Sequence, residues 1–373
     1  MILKVKDKIY LPGLNGLRAI AALSVILCHI FQQLNDYGLN SSGLFNSFGI
    51  YGVTVFFTLS GFLITYLLLK EKEKTTTIAI KKFYIRRVLR IWPLYFLFIL
   101  IVLSVMKFNV ASNLWFYLLM LPNIPWAVGS AGGMIHTIPL LSHYWSLGVE
   151  EQFYAFWPFI IKYVKKLKLF LICFCLFFIA LKFTLKLFHA PATLVSFVYY
   201  TRFSCMIIGG IGAYFFYTNN NFLKIVTTKW FDFLSWFVLV SLVLLPFFGI
   251  KMYAVLENEI VSVLTLLLIL NQISNPKRII SLENRFFDYL GKISFGLYVY
   301  NPLVIYTMAF VFQFFKIENQ KIKLFLIVIT VISIVIFLAH VSYFYFEKHF
   351  LKLKNKFTTV QSVASKFESE NHS

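Results

Sequence analysis

The chain carries little charge, and very little of it is negative. Of its 373 residues only 13% are Asp, Glu, Lys or Arg, and 15 acidic residues face 35 Lys and Arg. A soluble domain carries roughly 25% charged residues. With 60% hydrophobic residues and a mean hydropathy of +0.78, the composition is that of an integral membrane protein. Cysteine is equally scarce. Cys28, Cys173, Cys175 and Cys205 all lie in apolar segments, which reads as buried small side chains and as neither disulfides nor metal ligands; no metal is expected. Barrel-type alternation is missing from the apolar runs. There is no internal repeat and no short cleavable signal segment. What remains is an all-α polytopic bundle. A net charge of +20 would suggest nucleic acid in a soluble protein. Here topology explains it, and no nucleic-acid partner is expected.

Ten stretches are long enough to cross a bilayer, which takes about 20 apolar residues. They are Leu14–Leu34, Gly49–Leu69, Tyr84–Met106, Trp145–Ile161, Leu169–Leu187, Phe197–Phe216, Trp230–Phe248, Tyr253–Leu270, Tyr289–Phe312 and Leu324–Phe346. The apolar run Leu114–Leu121 is too short and is stopped by Pro122 and Pro125, so it is expected to be re-entrant or interfacial. With both termini cytoplasmic, Lys and Arg favour the inner side by more than three to one, the positive-inside pattern. The organisation expected is a cytoplasmic N-terminus over residues 1–13, a membrane core over 14–350, and a tail over 351–373 that is basic, then disordered after Lys356.

Polar groups inside these apolar runs carry the functional signal. Arg18 and His29 share the first crossing, eleven residues apart. That is close to three turns and about 16 Å of helix, so both side chains face much the same way. Ionisable groups at membrane depth usually line a bundle interior or a wet cavity; snorkelling by Arg18 and packing by His29 are the plainer alternatives. Between crossings two and three, KKFYIRRVLRIWPLYF sets Arg86, Arg87 and Arg90 at one helix start. Arginine offers a planar fork suited to phosphate, whereas a basic loop that merely fixes topology would serve as well with lysine. Before the fourth crossing, LLSHYWSLGVEEQFYAFWPF gathers His143, Glu150, Glu151 and Gln152 within a turn or two of the expected outer face. Two carboxylates there can orient a histidine, bind a sugar hydroxyl or hold a cation; they can also simply stabilise a helix N-terminus. Ser60-Gly61 reads as a close helix contact. Arg202 lies early in a helix with Gly209, Gly210 and Gly212, as a snorkelling residue or as an anion contact. Asn301-Pro302 should kink the ninth crossing, and Glu347 with His349 should end the tenth, solvated at the headgroups.

The succession GLRAIAALSVILCHI, VFFTLSGFLIT, RRVLRIWPLY, HYWSLGVEEQFYAFWP, LGKISFGLYVY and SYFYFEKHF resembles membrane acyltransferase family 3, which includes bacterial O-acetylases of lipopolysaccharide, capsule and peptidoglycan. The resemblance runs from Leu11 to Phe350. It implies ten core helices in the bacterial cytoplasmic (inner) membrane and an acyl-CoA co-substrate, usually acetyl-CoA. The acceptor it implies is a hydroxyl of an envelope polysaccharide or lipid-linked glycan. Arg18 and His29 match the essential pair, Arg86, Arg87 and Arg90 the RRxxR cluster, and Trp145, Ser146, Glu150 and Glu151 the fourth-crossing motif. His29 would act as general base or acyl carrier, with Arg18 and Glu150 beside it. Arg86, Arg87 and Arg90 would hold the donor phosphates, and Trp145, Ser146, Glu151 and Arg202 would contact substrate. Asn301 stands where many members have His, which implies that His29 serves alone. The soluble esterase-like domain of some relatives is missing, so one chain should hold the complete function. Two rivals stay open: acyl transfer to a small molecule or lipid headgroup, and a transporter or flippase using Arg18 and His29 as a relay. The arginine cluster favours the thioester-using enzyme.

Overall fold

The protein is described by a computed structural model that covers residues 4–5, 8–41, 43–106, 113–250, 255–360 and 362–363. Helices α1 (Leu14–Gln32), α2 (Asn46–Thr75) and α3 (Ile80–Val105) open the bundle. Helices α4 (Trp145–Tyr163), α5 (Leu167–Leu187), α6 (Ala192–Thr201) and α7 (Phe203–Tyr217) follow. Then come α8 (Lys229–Leu244), α9 (Glu257–Ser274), α10 (Arg285–Lys292), α11 (Ser294–Phe312), α12 (Gln320–Val341) and α13 (Lys348–Asn355). Eight helical stretches among the described residues are long and apolar enough to cross a membrane. At the positions of the other two expected crossings stand α4 and α9, of 19 and 18 residues. They fall outside the apolar eight; α4 carries Glu150 and Glu151, and α9 carries Glu257 and Glu259. The run from Leu114 yields a helix of only 5 residues, Leu114–Leu118, too short to span.

Several crossings depart from single straight helices. The sixth is broken at Arg202, whose φ of 43° is left-handed, a conformation that bulky side chains adopt only under constraint. The ninth divides at Ile293 into α10 and α11. The tenth passes through a π-helical turn, Ser342–Glu347, before α13. At the chain ends, β1 (Lys4–Val5) pairs antiparallel with β2 (Lys8–Tyr10), which pairs in parallel with β3 (Ser362–Val363). β3 is the described part of the stretch that the sequence reads as disordered; residue 361 and residues 364–373 lie outside the described residues.

Burial sorts the helices into inner and outer. Most of α1, α2 and α11 is buried inside the protein, whereas α5, α8 and α12 keep most of their surface outward. Leu176, Phe177 and Phe183 of α5, Phe233 and Phe237 of α8, and Phe325 and Phe337 of α12 are exposed, as lipid-facing side chains would be. Cys28, Cys175 and Cys205 are buried as expected; Cys173 is exposed on the outward face of α5, and all four are free.

The most extensive contact joins α2 to α7, and glycine makes it possible. A Cβ at Gly61 would run into the Met206 carbonyl, and one at Gly209 into the Thr58 carbonyl. Helices this close gain dispersion contact along the whole seam, which is what holds helices together in lipid. Gly61→Ala should therefore cost about 1–3 kcal/mol through overpacking. A thermal midpoint in detergent equal to that of the parent would show that the seam has slack.

A second tie is ionic. Lys182, counted on the outer side in the expected three-to-one charge split, is buried on α5 and forms an ion pair with Glu259 of α9 at 2.5 Å. Ser204 donates to the same carboxylate at 2.6 Å. Leaving Lys182 out of the outer loops strengthens the charge asymmetry.

Candidate functional site

Two polar centres lie along α1, and helix geometry fixes their spacing. Arg18 belongs to one and His29 to the other, three turns further on, about 16 Å.

The first centre is cationic. Arg18 is within electrostatic range of Arg90, Arg87, Glu150 and Tyr154. Lys354 of α13 faces Arg90, Arg87, Arg86 and Arg18. The Arg87 guanidinium sits over the rings of Phe83 and Tyr154, at 5.7 and 5.6 Å, where aromatic faces favour a cation. Among the described residues its buried Nε has no hydrogen-bond partner, nor does the buried Oε1 of Glu151. Glu150 accepts from the Ser60 hydroxyl at 2.6 Å, so Ser60 anchors the carboxylate that faces the arginines. Glu151 accepts from the Trp92 indole at 3.4 Å. Glu347 is buried on the π-helical turn, accepts from Ser342 at 3.1 Å and faces Arg90. A site with five cationic and three acidic side chains, some with donors unspent, suits a polyanion.

Three expectations change here. Glu150, read from its position as lying near the outer face, shares a site with the arginines, because α4 turns its first two turns inward against Ser60 of α2. Arg86 is already engaged within the protein. It pairs with Glu71 at 2.8 Å and donates to the Phe357 carbonyl at 3.0 Å, tying α2, α3 and the tail together. Glu347, read as solvated at the headgroups, is buried within the site.

The second centre is built on imidazoles. His29 Nδ1 meets Asn301 Oδ1 at 2.6 Å. The Asn301 amide donates to the carbonyls of Tyr298 at 2.6 Å and Leu297 at 3.2 Å. The His143 ring lies edge-on to that of His29, with centroids 6.5 Å apart. Phe98, Tyr144 and Tyr298 surround it at 6.0, 4.8 and 5.3 Å. His143 is buried, and among the described residues neither of its ring nitrogens makes a geometrically formed hydrogen bond; the Val299 backbone lies beside the ring. Ser146 bonds the Tyr298 hydroxyl at 2.7 Å, and that hydroxyl donates to the His143 carbonyl at 2.5 Å. Ser146, expected to contact substrate, is thus engaged in holding His143 in place.

Trp145 and Arg202 form a third cluster, within electrostatic reach of Tyr298. The Arg202 guanidinium lies over the Trp145 ring at 5.3 Å and over Tyr199 at 5.7 Å. It donates to the Ile50 carbonyl and the Thr54 hydroxyl, both at 3.0 Å. At 1% exposure Arg202 does not snorkel; it fills the break between α6 and α7. Trp145 stacks on Trp126 with ring planes 12° apart.

Sequence reasoning counts Asn301 as the loss of a base, gathers His143 with the carboxylates without giving it a role, and leaves Ser60 and Lys354 out of the site. The signal for Asn301 is the proline that follows it. For His143 it is the spacing of three to Ser146.

A family described as an acyltransferase domain matches residues 11–344. A provisionally named O-acetyltransferase of Staphylococcus aureus is 28% identical over 383 residues, spanning 94% of this chain and 58% of that protein. The peptidoglycan O-acetyltransferase OatA of Listeria monocytogenes is 34% identical over 178 residues, 43% of this chain and 25% of its own length. The O-acetyltransferase OatA of Staphylococcus aureus is 33% identical over 172 residues, 42% of this chain and 25% of its own. This chain therefore spans 58% of the relative that it matches almost end to end. No solved structure matches. Since the match takes in Arg18, His29 and nearly the whole helical core, the chain belongs to membrane acyltransferase family 3.

Proposed function

We propose that this protein is an O-acyltransferase of the bacterial cytoplasmic membrane. It takes an acyl group, acetyl in the simplest case, from acyl-CoA on the cytoplasmic side and delivers it to a hydroxyl of an envelope glycan. One observation carries the reading. A cationic, partly unsatisfied cluster at Arg18, Arg87 and Arg90 is joined by a single helix to an oriented histidine about 16 Å deeper. Phosphates of a coenzyme A donor match the first centre, since arginine forks pair with phosphate oxygens. A thioester carried inward by the pantetheine arm would reach the second. There a neutral imidazole can take the proton of an attacking hydroxyl. His29 is that base, Arg18 steadies the donor, and Glu150, anchored by Ser60, limits the positive charge around it. The excess of Lys and Arg in the loops between α2 and α3 and between α4 and α5 supports cytoplasmic termini.

The test is acetyl transfer from radiolabelled acetyl-CoA in membranes containing the full chain, with mass spectrometry of envelope glycans from cells with and without the gene. Acetyl esters present only with the gene are expected. Unchanged glycan acetylation together with no turnover of acetyl-CoA would remove the proposal.

A further inference from the structure

The break that Pro302 makes in the hydrogen bonding of α11 decides which nitrogen of His29 carries the proton. Proline has no N–H, so the carbonyl four residues back, that of Tyr298, loses its helical donor. A buried carbonyl left unpaired costs about 1–3 kcal/mol. The Asn301 amide supplies the missing donor at 2.6 Å and also reaches Leu297 O at 3.2 Å. Both carbonyls can only accept, so the amide nitrogen must face them; the flipped amide would set oxygen against oxygen. The Asn301 side-chain oxygen is thereby turned to His29 Nδ1, 2.6 Å away. An amide oxygen can only accept, so Nδ1 must donate. In a neutral imidazole the other nitrogen then holds the lone pair.

We infer that Asn301 is a positioning residue that fixes His29 as the Nδ1–H tautomer, leaving Nε2 as the proton acceptor, and that Pro302 is what aims Asn301. The inference rests on the reading of His29 as the base. Asn301, standing where a second histidine would be, thus orients the one base and does no base chemistry of its own.

The test separates tautomer from catalysis. The full chain, labelled with 15N-histidine in lipid vesicles, is examined by NMR, with the His29 signals assigned by their loss in His29→Gln. A protonated Nδ1 and a bare Nε2 are expected. In Pro302→Ala the helix regains its N–H, Tyr298 O no longer depends on Asn301, and the two tautomers should mix. Acetyl-CoA turnover, with a peptidoglycan fragment mixture as acceptor, gives the second readout. Asn301→Leu should lower kcat by roughly 10- to 100-fold, part of the 10²–10⁴ that a general base supplies, with KM for acetyl-CoA unchanged. Asn301→Leu with Pro302→Ala leaves no orphan carbonyl and should fold well yet stay slow. A purely structural role predicts that Pro302→Ala is harmless. A single Nε2–H tautomer in the parent, or full kcat with one tautomer in Pro302→Ala, would overturn the inference. An Nδ1–H signal alongside normal activity of His29→Gln would keep the positioning and sink the base.

Discussion

His29→Gln should lower acetyl transfer by 10²–10⁴-fold while acetyl-CoA still binds nearly as well as to the parent chain. The factor is what general-base assistance contributes. Glutamine matches histidine in hydrogen bonding, and its amide could still meet the Asn301 oxygen, but it accepts no proton near neutral pH. Donor affinity should survive because the cationic centre lies about three helical turns away on the same helix. It is held by groups that His29 does not touch: Ser60 on Glu150, and the rings of Phe83 and Tyr154 under Arg87. The measurement is single-turnover transfer from radiolabelled acetyl-CoA set beside calorimetric binding of acetyl-CoA to the purified protein. Near-normal transfer in His29→Gln would make the polar line through α1 a conduit. Loss of binding together with transfer would mean that the two centres are one.

What can be read from the sequence follows a physical division. Arg18 and His29 are legible because polar groups in an apolar helix are costly, and helical periodicity says which of them share a face. The Gly61 contact is legible too, since a glycine among bulky residues marks a place where backbones meet. The partners of these groups are not. Arg86 and Arg90 sit four residues apart in one motif, yet among the described residues Arg86 forms an ion pair with a buried carboxylate and Arg90 does not, because Glu71 happens to close the end of α2 against Arg86. Sequence position puts Glu150 in the wrong neighbourhood for the same reason. Its depth along α4 does not say which helix it leans on, and Ser60 lies 90 residues earlier in the chain. His143 and Asn301 escape for a different cause. Each is defined by a hydrogen bond absent or displaced, and such bookkeeping needs coordinates. Pro302 reads as a kink, when its chemical effect is the donor that it withholds.

The arginines differ most in what their loss should do. Arg86→Ala is expected to cut the folded yield sharply. Glu71 is 3% exposed; it accepts from the Ala79 amide at 3.0 Å and from Arg86 at 2.8 Å. Removing the guanidinium leaves a buried carboxylate with one amide donor, and breaking such a pair costs about 3–5 kcal/mol. That is a large fraction of the 5–15 kcal/mol typical of a folded domain. Replacing both partners, Glu71→Leu with Arg86→Leu, should restore much of the yield, because an apolar pair of similar volume is often no worse than the ion pair. Arg90 is exposed and faces the cationic centre, so Arg90→Ala should fold normally. It should lose roughly tenfold to a hundredfold in acetyl-CoA affinity, the 1.5–3 kcal/mol of a hydrogen bond to a charged group. Lys82, exposed one turn before Arg86, is the control, and its change to alanine should alter neither quantity. Size-exclusion profiles after heating in detergent read the folding, and calorimetry with acetyl-CoA reads the binding. If Arg86→Ala melts like the parent, Glu71 has another partner. If Arg90→Ala binds acetyl-CoA as tightly as Lys82→Ala does, the cluster does not hold the donor, and its arginines answer only to membrane topology.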